Sequence, residues 1–167
     1  MTPVIEQLIE QLKFKTALWL WARWVPVLAW RHDLQSLIDA AAPPERISFT
    51  HLPAAYIAKR VRRATRRPIL MRDRPCLREG LLAYRFLRLA GFRPELHFGV
   101  EPASVESDRL RAHCWVVLDG DIILNAPEQD MVEILVVRGG PDRPAKLGAV
   151  AARRGAGTRP SADATTV

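Results

Sequence analysis

The sequence predicts an α+β fold, in which a helical N-terminal half precedes a cysteine-bearing helix packed on an antiparallel sheet. Two observations carry this prediction. Apolar residues recur at helical spacing between residues 4 and 91, and beyond residue 93 apolar and polar residues alternate as they do in strands. The chain has 167 residues, of which 49% are hydrophobic, so it can build a real core as one domain with loose ends.

Three helices are predicted in the N-terminal half, over residues 4–24, 31–44 and 51–67. The paired prolines Pro43 and Pro44 stop the second helix, and the third carries a dense face of arginines. Residues 16–30 (TALWLWARWVPVLAW) hold four of the five tryptophans but are too short to span a membrane. We interpret them as a core helix that kinks or breaks at Pro26. The alternative is a docking surface for a peptide, a partner or a bilayer interface.

The clearest helix, CLREGLLAYRFLRLAG, covers residues 76–91, where Pro75 precedes the first turn and Gly91 supplies a left-handed end. Four strands are predicted to follow it, over residues 93–102, 112–118, 121–125 and 131–137. From residue 139 the composition shifts to Gly, Ala, Arg, Thr and Pro without periodicity. This shift predicts a disordered tail over residues 145–167.

The formal net charge of +7, together with the clustering of the arginines, favours anionic partners such as acidic peptides, nucleic acid or a membrane surface. The arginine-rich run at 59–74 lacks the interleaved aromatic residues of RNA-binding modules, so we predict no nucleic-acid partner. The N-terminus contains acids, unlike a secretory signal, and no apolar stretch is long enough for a transmembrane segment. A cytoplasmic location is therefore expected, in which the two cysteines stay reduced.

Cys76 and His113 are the candidate nucleophile and base. Cys76 opens its helix, where backbone N–H groups and the positive end of the helix dipole stabilise a thiolate and can bind an oxyanion. Gly80, one turn further along the same face, would let a strand approach the thiol closely. His113 lies on the predicted strand AHCWVVL. A cysteine at a helix start with a histidine on a downstream strand is the geometry of papain-like and transglutaminase-like thiol enzymes.

The stretch CLREGLLAYRFLRLAGFRPELHFGV, followed by AHCWVVLDG, resembles the transglutaminase-like leader peptidases of lasso-peptide biosynthesis. This cysteine protease family removes the leader from a ribosomally made precursor. The resemblance implies Cys76 as nucleophile, His113 as base and a third polar residue on the following strand, commonly an acid. That position falls on Asn125, whose amide oxygen can still orient an imidazole, as in papain-like enzymes.

The resemblance therefore predicts a helical N-terminal region, residues 1–66, and a transglutaminase-like catalytic core, residues 67–140. It predicts a Cys-His-Asn peptidase without a cofactor, acting on a precursor peptide that bears a leader. Because no part of the chain resembles a leader-binding domain, a separate leader-recognition protein is the expected partner, with the ring-forming cyclase as a further candidate. Two alternatives stay open: acyl transfer to an amine on the same fold, and a non-catalytic basic module that binds an acidic peptide or nucleic acid.

Three residues, His97, Trp115 and Arg78, are predicted to bind substrate. His97 points away from the apolar stripe of its strand, and Trp115 shares a sheet face with His113, where it either shields the site or packs in the core. Cys114 points to the face opposite His113 and is expected in the core. The cysteines and histidines lack the spacing of a zinc site, so no metal is predicted.

Whether Asn125 reaches His113 depends on the register of the hairpin between their strands. A two-residue loop, Asp119-Gly120, would leave the two side chains on opposite faces of the sheet. A three-residue loop that also includes Leu118 sets them directly across from each other, with the glycine in the left-handed region. We predict the three-residue loop, with the Asn125 side chain beside His113.

Overall fold

The computed structural model describes residues 3–43, 47–66, 74–128 and 130–138. In chain order, the elements are helices α1 (Pro3–Arg31), α2 (Leu34–Ala41), α3 (Ala54–Thr65) and α4 (Pro75–Leu89), strand β1 (Glu95–Val100), a 3₁₀ turn (Pro102–Ser104), and strands β2 (Ala112–Leu118), β3 (Asp121–Leu124) and β4 (Val132–Arg138). The predicted α+β arrangement is confirmed. The predicted tail, residues 145–167, lies outside the described residues, and the domain division stays a prediction.

Helix α1 continues through Pro26 and ends at Arg31, where the sequence favoured a kink or break at the proline. Proline has no N–H, so the carbonyl of Ala22 loses its usual partner within the helix. Arg78 of α4 takes that place, because its Nε donates to the Ala22 oxygen at 3.1 Å and its Nη2 donates to the same atom. The guanidinium therefore ties the middle of α1 to the first turn of α4.

Helix α4 begins and ends as its sequence predicts. Pro75 occupies the start of the helix, where the missing N–H has no intrahelical role. Gly91 follows the last turn with φ +89, and the N–H of Phe92 donates to the carbonyl of Leu87 at 3.0 Å. This bond satisfies one of the carbonyls that a helix end would otherwise leave free, and it turns the chain toward β1.

The sheet has the order β3-β2-β1-β4, and neighbouring strands are antiparallel. One of its faces packs on the helices. The side chains of β1 and β2 on this face are buried and belong to one apolar cluster with residues of all four helices; they are Leu96, Phe98, Cys114 and Val116. Because side chains alternate along a strand, His97, His113 and Trp115 lie on the opposite face.

The predicted three-residue hairpin loop is wrong. Leu118 pairs with Asp121, so the loop contains only Asp119 and Gly120. Their φ angles are 53° and 89°, and two successive left-handed residues are what a type I′ turn requires. Aspartate followed by glycine suits this tight turn, whose twist matches that of the flanking strands.

The extra residue of the hairpin lies within β3 instead of the loop. Val117 pairs with Ile122, whereas Val116 pairs with Leu124, so the register shifts between the two valines. A hairpin without this bulge would turn Leu124 outward, because one residue of slip exchanges the two faces. With it, Leu124 is 1% exposed and packs in the core. Asn125 follows directly after the strand, with φ +54°, so the alternation of faces ends at Leu124.

No helix among the described residues combines the length and the apolar character that crossing a bilayer requires.

Candidate functional site

Cys76 is the second residue of α4 and is half-buried. The first N–H groups of a helix have no partner within it, and Pro75 has none to offer. The N–H of Arg78 donates to the carbonyl of Arg74 at 3.3 Å, which closes the first turn. The N–H groups of Cys76 and Leu77 therefore form the donor end of the helix beside the thiol, where negative charge is favoured.

The hairpin of β2 and β3 anchors this helix end through the carbonyl of Cys76. The amide Nδ2 of Asn125 donates to the Cys76 oxygen at 3.1 Å. The thiol of Cys114 also contacts that oxygen, at 3.6 Å. Two residues of the hairpin, one on β2 and one directly after β3, thus hold the turn that carries the candidate nucleophile.

Asn125 also contacts His113, through its backbone. His113 Nε2 lies 3.1 Å from the carbonyl oxygen of Asn125. A carbonyl oxygen only accepts hydrogen bonds, so this contact places the proton on Nε2 and leaves Nδ1 as the proton acceptor. Asn125 has φ +54, a conformation that asparagine adopts more readily than most residues. The predicted proximity is present, but the contacting group is the main-chain carbonyl, while the amide reaches Cys76.

The close approach of a strand at Gly80 is confirmed, and Cys114 is the residue that uses it. A Cβ at position 80 would overlap Cys114 Sγ and lie 3.0 Å from a methyl group of Leu96. Cys114 is 2% exposed, as expected for a core residue. Burial raises the pKa of Cys114 well above its ordinary value, and the neighbouring Cys76 and Glu79 act in the same direction. Cys114 therefore remains a neutral thiol.

On the outer face of the sheet, Trp115 stacks with two histidines. Its ring lies 6.4 Å from that of His113 and 5.5 Å from that of His97, at interplanar angles of 20° and 22°. Gly99 makes room for the indole, because a Cβ there would lie 3.0 Å from an indole carbon. Trp115 is 6% exposed although it is outside the core cluster. The indole thus packs against the His113 ring and restricts its orientation.

His97 is held by carboxylates at both ring nitrogens. Nδ1 lies 2.6 Å from Glu133 and Nε2 lies 3.1 Å from Glu95. A hydrogen bond from Arg138 is the main cause that lowers the pKa of Glu95. Both ring nitrogens of His97 are engaged, and its side chain is 12% exposed. These contacts favour a role in supporting the Trp115 ring over the predicted contact with substrate.

Arg78 lies in the interior, 6% exposed, with two of its nitrogens on the Ala22 carbonyl. Burial lowers the pKa of Arg78, and the charge of nearby Arg23 adds to this effect. The position favours a structural role over the predicted contact with substrate. Pro26 was the signal in the sequence that pointed to this role, because a proline inside a helix leaves a carbonyl that some donor must satisfy.

Sequence reasoning missed Glu95 and Glu133, the partners of His97. Glu95 could have been predicted as a partner, since residues two apart on a strand share a face. Glu133 could not have been predicted, because it lies on β4, which is distant in sequence and pairs with β1 only in the folded sheet. Within the described ranges, no group of three or more potential ligands could hold a metal ion.

Residues 16–137 match the family described as the transglutaminase-like superfamily. The match begins inside α1 and ends in β4, so it includes Cys76, His113 and Asn125. No curated protein and no solved structure matches the chain significantly.

Proposed function

Because the chain belongs to the transglutaminase-like superfamily, we propose that it is a cysteine peptidase that removes the leader from a ribosomally synthesised precursor peptide. The observation that supports the chemistry is the double role of Asn125, whose carbonyl accepts from His113 and whose amide donates to the helix end at Cys76. The substrate rests on the resemblance of the segments around Cys76 and His113 to lasso-peptide leader peptidases. A separate leader-recognition protein would present the precursor.

In the proposed reaction, Cys76 Sγ attacks the scissile carbonyl carbon and its proton passes to His113 Nδ1. The N–H groups of Cys76 and Leu77 hold the oxyanion of the tetrahedral intermediate. When the C–N bond breaks, the leaving amine takes the proton from His113, and a thioester remains on Cys76. Water then attacks the thioester while His113 accepts its proton, which returns to the thiol as the new carboxylic acid leaves. Acyl transfer would follow the same steps with an amine in place of water.

Mass spectrometry on a leader-bearing precursor, incubated with the chain and a leader-recognition protein, tests this function. We expect two fragments whose masses sum to the precursor plus one water. Cys76→Ala should abolish their formation, and Cys114→Ala, which removes only the longer sulfur contact to the Cys76 carbonyl, should still form them at a reduced rate. An uncleaved precursor with every partner present, or cleavage by Cys76→Ala, would contradict the proposal. A product with an added amine would instead identify acyl transfer.

The two contacts of Asn125 can be separated by substitution. Asn125→Gly keeps the positive φ and the carbonyl that holds His113 but removes the amide donor, so activity should fall by about fivefold, the value of one hydrogen bond. Asn125→Leu strains the left-handed backbone and displaces the carbonyl, so its loss should be larger. Asn125→Asp replaces the donor with an acceptor that faces the Cys76 carbonyl, and its activity should not exceed that of Asn125→Gly. Higher activity in Asn125→Asp would show that the side chain, and not the carbonyl, orients His113.

A further inference from the structure

Helix α1 is apolar on both of its sides. Its inner side packs in the core through residues at helical spacing, among them Phe14, Leu18, Ala22 and Val25. Its outer side exposes a second apolar set; this set comprises Ile5, Leu8, Ile9, Leu12, Trp19, Leu20, Trp24, Val27 and Trp30. At 3.6 residues per turn, the centre of the exposed set lies about 155° around the helix from the centre of the buried set. We call the exposed set the outer stripe.

The outer stripe is larger than an ordinary patch on a soluble protein. Trp19, Trp24 and Trp30 are 53%, 57% and 88% exposed. With about 200 Å² for each tryptophan side chain, their exposed parts alone amount to about 400 Å², which equals the largest apolar patch of a typical monomer. The leucine, isoleucine and valine side chains extend the stripe along most of the helix. Surfaces of this size mark a contact with another molecule.

The charges beside the outer stripe identify the kind of surface that it fits. Glu6 and Glu10 accompany the N-terminal end of the stripe, whereas from residue 11 to residue 32, the part that carries the three exposed tryptophans, the sequence contains Lys13, Lys15, Arg23 and Arg31 and no Asp or Glu. Lys13 and Lys15 lie on opposite flanks of the stripe, where long side chains can place their charge at a polar boundary while their stems cover apolar surface. The Arg23 guanidinium lies 3.6 Å from the centre of the Trp19 ring. A surface that is apolar below and anionic at its rim complements this pattern.

We propose that the outer stripe docks on an anionic lipid bilayer, with α1 lying along the membrane surface. Tryptophan is enriched at membrane interfaces, and basic residues beside an apolar helix face add attraction to anionic headgroups. A second copy of the chain fits less well when the exposed tryptophans of the two copies cover each other, because that packing brings Arg23 and Arg31 of both copies together while Glu6 and Glu10 lie at the far end of the stripe. The inner side of α1 remains packed in the core, so docking needs no rearrangement of the fold.

Sedimentation with vesicles tests the proposal on the full chain. Vesicles of phosphatidylcholine and phosphatidylglycerol at about two to one should bind the protein, and pure phosphatidylcholine vesicles should bind it much less at equal salt. Trp30→Ser should weaken binding by about tenfold or more, since about 60 Å² of buried apolar area suffices for that change. Leu110→Ser is the control, because Leu110 is 61% exposed but lies outside α1.

A charge-matched pair completes the test. Lys13→Gln with Lys15→Gln should weaken binding by about 25-fold, at about fivefold for each charge near an anionic surface. Arg93→Gln with Arg109→Gln lowers the net charge equally but away from α1, and it should have a much smaller effect. Cys76→Ala should bind vesicles as the wild type does, so the result is independent of the proposed peptidase activity.

Three results would overturn the proposal. They are the absence of vesicle binding, equal weakening by the stripe variants and their controls, and a concentration-dependent dimer in light scattering that Trp30→Ser abolishes. The last result would show that a second copy covers the outer stripe.

Discussion

Replacing Gly80 with alanine measures how tightly β2 must approach the helix that carries Cys76. The new Cβ would overlap Cys114 Sγ and lie 3.0 Å from Leu96 Cδ1, whereas carbon contacts settle near 3.5–4.0 Å. Neither neighbour has free space to move into, because Cys114 is 2% exposed and Leu96 is 0% exposed. Either the strand shifts away from the helix or the Cys114 side chain rotates into an already filled core.

Two opposing effects determine how much Gly80→Ala changes the free energy of unfolding. Overpacking of a filled core costs about 1–3 kcal/mol. Alanine in place of glycine within a helix returns about 1 kcal/mol. Gly80→Ala should therefore lower the free energy of unfolding by about 0–2 kcal/mol, and the sign should reverse once the overlapping sulfur is removed. In a Cys114→Ala background, Gly80→Ala should stabilise the protein by up to about 1 kcal/mol.

Urea denaturation of the wild type, Gly80→Ala, Cys114→Ala and the double variant measures these free energies of unfolding, provided that the dependence on urea concentration is the same for all four. We expect a coupling energy of about 1–3 kcal/mol between positions 80 and 114. The matched control is Ala83→Gly on the same helix, which should show no coupling to Cys114→Ala beyond about 0.5 kcal/mol. If Gly80→Ala stabilises the wild type as much as it stabilises Cys114→Ala, the close approach of β2 does not require a glycine and the reasoning fails.

Further predictions concern the thiols and the buried arginine. Iodoacetamide at neutral pH should alkylate the half-buried Cys76 and leave Cys114 unmodified until the protein unfolds, as peptide mass mapping would show; equal labelling would refute the burial argument. Because burial raises the pKa of Cys114, its contribution to stability is complete below the ordinary thiol pKa and is lost as pH rises above it. Urea unfolding at pH 7 and pH 10 should therefore show a smaller decline for Cys114→Ala than for the wild type. Arg78→Met should cost about 2–3 kcal/mol by leaving the Ala22 carbonyl without a donor, and Pro26→Ala should recover much of this by restoring the N–H within α1. An equal effect of Pro26→Ala with and without Arg78 would contradict that account.

The parts of the fold that the sequence could predict are those that neighbouring residues determine. Pro75 and Gly91 mark the two ends of α4 because their backbone chemistry acts within one turn. The alternation in β1 and β2 assigned Cys114 to the core and placed Trp115 on the His113 face. These are local rules, and the structure follows them.

The hairpin register was beyond local reasoning. Asp119-Gly120 suits a two-residue turn and a bulged three-residue loop equally well, so the turn residues could not decide between them. The burial of Leu124 requires one extra residue somewhere between the strands, and the predicted three-residue loop placed that residue at the turn. The sheet accommodates that residue inside β3, where the packing of Val116 against the helices fixes the register, and not at the turn. Contacts between distant segments, such as Arg78 with Ala22 or His97 with Glu133, had no local signal of a specific partner.

The first turn of α4 is positioned from two sides, and each side depends on a residue that departs from regular secondary structure. On one side, Pro26 frees the Ala22 carbonyl and Arg78 binds it, which fixes the turn against α1. On the other side, the left-handed Asn125 directs its amide to Cys76 and its carbonyl to His113. Without Pro26, a regular α1 would leave Arg78 without its acceptor. Without the left-handed turn at Asn125, a continued β3 would direct the Asn125 carbonyl into the sheet. In the proposed mechanism, the relative placement of the Cys76 thiol and the His113 imidazole would therefore depend on these two irregularities as well as on the residues that perform the chemistry.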